Sequence, residues 1–228
     1  AETGEEAVVR DRHLDYFLGV AEESQARLAG AEQKRWLARL DVEHSDLLAA
    51  HAWCGGGDRA GKGLRLVGAL WRYWSQRGQY ALAGRTMNEA LGRPGAGVRN
   101  AARARALVRA SAYALSQADY EAARPLAEES LAISRELGDR VGVARCLGTL
   151  ASIAIFQDAL DEARVRSEES LAVYRELGRV SGVANSLHTL GHVAMYRGEL
   201  DEANAHYEEA LAILAGTGDD RLIAQTLS

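Results

Sequence analysis

Proline, cysteine, methionine and phenylalanine each occur only twice in 228 residues. Each scarcity excludes something. With Pro94 and Pro125 alone, almost nothing in the chain interrupts a helix. Two cysteines, Cys54 and Cys146, cannot build a disulfide framework or a cysteine zinc site, and they fit a reducing cytoplasm. No apolar run reaches about 18 residues, so no membrane-spanning helix is expected. The opening AETGEEAVVRD is acidic and lacks the apolar stretch of a signal peptide. It also lacks an initial Met, which points to an excised or processed piece. Val, Ile and Thr are sparse and unclustered, which argues against a sheet protein. A net charge of −5 argues against this segment gripping nucleic acid by charge alone.

What is abundant is Ala, Leu, Glu and Arg, the strong helix formers. They recur with a period of 40 residues. Ser130–Glu169 laid on Ser170–Glu209 without a gap gives 20 identities in 40 positions. SLAISRELG becomes SLAVYRELG, and ALDEARVRSEES becomes ELDEANAHYEEA. Leu91, Leu131, Leu171 and Leu211 are in phase, as are Ala83, Ala123, Ala163 and Ala203. So are Tyr80, Tyr120, Leu160 and Leu200. The spacing predicts four repeats, at about 58–97, 98–137, 138–177 and 178–217, and a fifth that starts at Asp219 and is cut off at Ser228.

Each repeat predicts two helices. In the third, Ala144, Leu147, Leu150, Ala151 and Ala154 form one apolar stripe. A polar break follows at Gln157–Asp158, and a second helix runs from about Leu160 to Leu177 with Ala163, Leu171 and Leu177 inward. Gly138, Gly178 and Gly218 stand just after this helix, where a left-handed C-cap is expected. Asp161-Glu162 and Asp201-Glu202 suit the first turn of a helix, where the macrodipole favours acids. Gly191, Ala151, Ala123, Ala163 and Ala203 let paired helices approach closely. One such pair cannot bury enough to stand alone, so stability is expected to reside in the stacked array.

The series Leu187, Leu190-Gly191, Ala194, Gly198, Ala203, Tyr207, Ala210 resembles the tetratricopeptide repeat. The usual period is about 34 residues. The longer period here implies a longer second helix and exit loop, and the family's terminal Pro is missing. The resemblance implies an all-α fold: a right-handed superhelix, or alpha-alpha solenoid, with two extra N-terminal helices. The phrase at Ser130–Ala144 is similar to the repeat arrays of large bacterial signalling ATPases of the STAND type. These include LuxR-type and antibiotic-regulatory transcriptional activators. RDRHLDYFLGVAEES (Arg10–Ser24) and WLARLDVEHSDLLAAHAW (Trp36–Trp53) resemble the segment that links the ATPase and winged-helix portion to those repeats. Residues 1–55 are therefore expected to form a helical pair, about Glu5–Leu28 and Ala31–Trp53, acting as cap or linker. Residues 56–228 are expected to form the array.

Candidate chemistry is thin. Gly56–Gly63 (GGDRAGKG) nearly spells a phosphate loop, but Gly63 stands where the Mg²⁺-binding hydroxyl belongs and no strand precedes it. A loop into the first repeat is the better expectation. His188 and His192, four apart on one helix, have the spacing of a metal pair but no third ligand spaced to help. No metal, cofactor or catalytic residue is assigned. Arg65, Arg105 and Arg145 fall at one repeat position, continued by Asn185, with Arg72 a turn or two along. Guanidinium forks there suit carboxylate or phosphate oxygens. With His188, His192 and Tyr196 they define the candidate partner-binding groove on the concave side of the array. The chaperone-tail carboxylate clamp of the family is missing, since its places hold Gly68, Val108, Gly148 and His188, then Arg72, Ala112, Ser152 and His192. Trp71, Tyr73 and Trp74 suit a core, with Phe156 and Tyr196 extending the groove. Glu128-Glu129, Glu168-Glu169 and Glu208-Glu209 suit a solvated face.

The functional expectation is a cytoplasmic, non-catalytic interaction or sensor module of a larger signal-transduction ATPase or transcriptional regulator. The alternative is a stand-alone adaptor. A protein, a peptide or a small-molecule inducer would be bound, with no membrane and no direct nucleic-acid contact. An apolar edge after Ile223 would allow end-to-end dimers.

Overall fold

The protein is described by a computed structural model covering residues 4–55 and 58–215. Among these residues the chain is helical, with no strand. It packs as two compact units, Ala1–Tyr113 and Ala114–Ser228.

The first unit holds α1 (Gly4–Arg27), α2 (Gln33–Val42), α3 (His44–Trp53), α4 (Arg59–Gln76), α5 (Tyr80–Gly92) and most of α6 (Ala101–Ser116). The expected second helix, Ala31–Trp53, is two helices. The break is one residue, Glu43, at φ −88° and ψ 7°. It lets Asp41 and His44 both meet the Tyr73 hydroxyl, at 3.1 and 3.3 Å. Leu14, Leu18 and Ala21 of α1, Leu40 of α2 and Leu47 of α3 are buried with Leu64, Val67, Leu70, Tyr73 and Trp74 of α4. The N-terminal helices are thus continuous with the first repeat, because α1 packs along α4. Helix α5 stops early. Arg93 precedes Pro94 and is driven to ψ 142°, outside the helical region.

The second unit holds α7 (Tyr120–Glu136), α8 (Arg140–Phe156), α9 (Leu160–Glu176), α10 (Val180–Tyr196) and α11 (Leu200–Ala215). The helix pairs α4–α5, α6–α7, α8–α9 and α10–α11 follow one another at the 40-residue period. Helices α8, α9 and α10 are each 17 residues long. With the same three-residue turns a 34-residue period would leave shorter helices of equal length. The six extra residues are therefore shared by both helices, not confined to the second helix and its exit loop.

The turns repeat at half the period. Gly78, Ala118, Gly138, Asp158, Gly178 and Gly198 all have positive φ, between 58° and 79°. In each case the next residue donates its N–H to the carbonyl five back, as in Gln79 to Trp74 at 2.8 Å and Glu199 to Ala194 at 2.9 Å. This 6→1 bond is the Schellman closure of a helix end. The Asp119 and Asp139 side chains then cap α7 and α8 by accepting from the Ala122 and Gly142 N–H groups.

Packing in this unit crosses repeat boundaries. Ala154, Ala163 and Val193, from α8, α9 and α10, form one buried cluster. Leu171, Val183, Leu187, Leu190, Ala210 and Leu214 form another through α9, α10 and α11. Fully burying such aliphatic side chains is worth roughly 1.5–3 kcal/mol each, so much of the core exists only between neighbours. Gly218, the fifth repeat from Asp219 and the edge after Ile223 lie outside the described residues.

Candidate partner-binding surface

The first helices of the repeats share a property that the second helices lack. Helices α4, α6, α8 and α10 contain nine Lys and Arg residues and no Asp or Glu. The acids gather on the second helices α7, α9 and α11 and on α1. In a chain of net charge −5 this separates sign by helix.

In the first unit the basic side of α4 is met by α1. Arg59 binds Asp11 through Nε at 2.6 Å and a second N–H at 3.2 Å. Trp53 also donates to Asp11, at 2.8 Å. These bonds hold the Asp11 pKa down at about 2. Lys62 pairs with Asp15. Arg65 is gripped by both oxygens of Glu22, at 2.8 and 2.9 Å. Arg65 is therefore engaged within the chain. Arg72 and Arg105 are exposed.

In the second unit α8 and α10 are neighbours. Arg145 on α8 is exposed, and its charge acts on the Tyr174 hydroxyl. Burial raises the pKa of that hydroxyl, and Arg145 opposes the shift. Asn185, one period on, is exposed. His188 and His192 are half-buried, and their Nε2 atoms lie 3.2 Å apart. Tyr207 of α11 reaches both rings, with centroids 5.8 and 6.0 Å away. Gly191 permits this, because a Cβ there would stand 2.4 Å from the Tyr207 ring. Desolvation lowers the His192 pKa. Tyr196 is 58% exposed and lies 6.5 Å from the His192 ring. Helices α8 and α10 thus carry Arg145, Asn185, His188, His192 and Tyr196. Helices α4 and α6 carry Arg65, Arg72 and Arg105.

Phe156, in phase with Tyr196, stacks on Tyr120 with centroids 5.6 Å apart and planes 9° apart. Tyr73 and Trp74 are core residues, as expected. The expected loop into the first repeat is helical from Arg59 onward. Gly61, Lys62 and Gly63 lie inside α4, Lys62 is paired, and Gly63 packs against Cys54. Gly56 and Gly57 lie outside the described residues. Cys54 and Cys146 are buried free thiols, and burial pushes the Cys54 pKa up to about 11. Among the described residues no three His, Cys, Asp or Glu side chains gather as a metal site, and no helix is long and apolar enough to cross a membrane.

A second set of contacts escaped the sequence reasoning. Arg124 of α7 binds Glu162 of α9, and Arg164 of α9 binds Glu202 of α11, at 2.9 and 2.8 Å. Both pairs span 38 residues, and Arg124/Arg164 and Glu162/Glu202 are each 40 apart. That in-phase recurrence was the available signal.

Residues 102–176 and 183–215 match family models, both described as tetratricopeptide repeat. These segments are tetratricopeptide repeats. They cover the helices from α6 to α11. The tetratricopeptide fold is also that of similar solved structures. BtubC (BKLC) from P. vanneervenii is 16% identical with a TM-score of 0.64, covering 96% of this chain and 94% of its own. One structure of a putative kinesin light chain with nearly identical TPR-like repeats, from Podosopora anserina, is 19% identical. Its TM-score is 0.61, covering 87% of this chain and 96% of its own. A second structure of that kinesin light chain is 16% identical with a TM-score of 0.53, covering 88% of this chain and 98% of its own. No curated protein matches the sequence. The architecture is an alpha-alpha solenoid, and tetratricopeptide repeats are protein-interaction modules.

Proposed function

We propose that this chain is a non-catalytic array that receives a carboxylate-bearing segment of a partner protein on the first helices of its repeats. One observation carries this reading. Those helices hold nine basic and no acidic residues in a chain that is acidic as a whole. The chain itself supplies a precedent, since Glu22 takes the Arg65 fork bidentately. Arg105 and Arg145 stand at the same repeat position and are exposed. In the second unit Asn185, His188, His192 and Tyr196 add hydrogen-bonding and aromatic contacts on α10, next to the helix of Arg145, and Arg72 adds charge on α4 in the first unit. Anisotropy titration of a labelled glutamate-rich peptide tests the reading. Binding should weaken with salt and vanish in R105E/R145E with helicity unchanged. Equal affinity in that variant would end it.

The larger setting is a cytoplasmic signal-transduction ATPase or transcriptional regulator, in which the array senses a partner or a small-molecule inducer. The similarity of Arg10–Ser24, Trp36–Trp53 and Ser130–Ala144 to such proteins supports this. A sensed ligand shifts the attached machine only by preferring one of its states. A stand-alone adaptor is the second reading. The observation in its favour is that the chain covers 94–98% of the similar solved chains, so an array of this length stands as a fold by itself. The intact mass of the native gene product, captured with an antibody to this segment, separates the two. A mass several-fold above 24.6 kDa supports the sensor, and a mass near it supports the adaptor.

A further inference from the structure

The sequence offered His188 and His192 as a spacing without a third ligand. The structure adds a distance. Two zinc–imidazole bonds of about 2.0–2.1 Å, opened to the tetrahedral angle, hold their nitrogens about 3.3 Å apart. The Nε2 atoms of His188 and His192 are 3.2 Å apart. The two separations differ by about 0.1 Å. The rings lie at 62° to each other with centroids 4.4 Å apart. Tyr207 packs against both rings from α11, which restricts their motion.

We propose that His188 and His192 form a two-nitrogen chelate for one divalent transition ion of the zinc, nickel or copper class, the ions that imidazole suits. In the metal-free pair the 3.2 Å contact is bridged by one Nε2 proton. Binding moves that ring to its Nδ1–H tautomer, so both Nε2 lone pairs face the ion and no net proton is lost. No third His, Cys, Asp or Glu joins the pair among the described residues. The remaining coordination positions hold water, exchangeable for an incoming carboxylate or imidazole. His206 is not part of the chelate, since it pairs with Glu202 on α11. The proposal stands independently of the arginine reading.

Equilibrium dialysis of the tag-free chain against ZnCl₂ tests it. One equivalent should bind. H188Q and H192Q should each weaken binding at least about tenfold, and H206Q should not. No bound equivalent at a tenfold excess of zinc, or parental affinity in either of the first two variants, overturns it. Copper(II) electron paramagnetic resonance on the unaltered chain gives a readout that needs no substitution. Two equatorial imidazole nitrogens are expected, and none or one refutes the chelate.

Discussion

The six left-handed turn residues make a controlled experiment in backbone strain. Gly198 and Ala118 hold the same place two repeats apart, with φ of 79° and 58° and the same 2.9 Å closing bond. Both are exposed, and a Cβ at Gly198 meets nothing within 4 Å. Packing therefore drops out, and residue type alone sets the cost. A non-glycine residue in this region pays roughly 1–2 kcal/mol. Glycine loses about 0.4–1 kcal/mol back through the freer unfolded chain. Ala118→Gly should stabilise by a net of about 0.5–1 kcal/mol, and Gly198→Ala should destabilise by a similar amount. Urea unfolding followed by circular dichroism measures both. All four Trp residues, Trp36, Trp53, Trp71 and Trp74, lie in the first unit. Their emission is an internal reference, because both substitutions are in the second. A midpoint that falls in Ala118→Gly, or stays put in Gly198→Ala, would refute the strain argument.

The repeats also supply the other variants. Asp139 caps α8, but its counterpart Arg179 gives α10 no side-chain cap at nearly the same backbone angles. Arg179→Asp should add about 1 kcal/mol, read as a higher urea midpoint. Gly191→Ala gains about 1 kcal/mol of helix propensity but overpacks Tyr207 at roughly 1–3 kcal/mol, so the melt should fall. Tyr207→Ser in the same chain should restore it, because the preceding repeat holds Ala151 and Ser167 at the same two positions. Strictly additive melts would disprove that coupling. His51 is buried, and burial and Arg93 push its pKa down to about 4 from 6.5. Between those values the unfolded chain binds a proton that the folded chain refuses, so stability falls as pH drops from about 6.5 to about 4. The difference amounts to about 3 kcal/mol. His51→Leu should flatten that slope in Trp-monitored urea titrations, and an unchanged slope would show that another group carries it.

The helix pairs were legible because a 40-residue period states the same pattern four times. The phase of Leu91, Leu131, Leu171 and Leu211 outweighs any local ambiguity. The break at Glu43 was not legible, because it answers to Tyr73, about thirty residues away, and no repeat copies it. The arginine position was found by phase, but the Glu22 partner of Arg65 lies 43 residues upstream in a helix outside the repeats. The spacing of His188 and His192 was visible, whereas the 3.2 Å between their nitrogens depends on how Tyr207 packs over Gly191. Sequence periodicity reports which residues share a face. It does not report which partner has already arrived there.

The arginine–glutamate pairs between second helices bear on how such a chain changes length. Arg124 meets Glu162 and Arg164 meets Glu202. Excising residues 138–177 would bring Arg124 opposite Glu202, with Asp119 and the α7 helix end joined to a neighbour of the same pattern. Duplicating those residues would add a rung rather than break one. Gene-level gain or loss of a whole unit therefore needs no new interface, whereas a change of a few residues would put every later rung out of register. Length in forty-residue steps is the dimension along which this scaffold can vary freely.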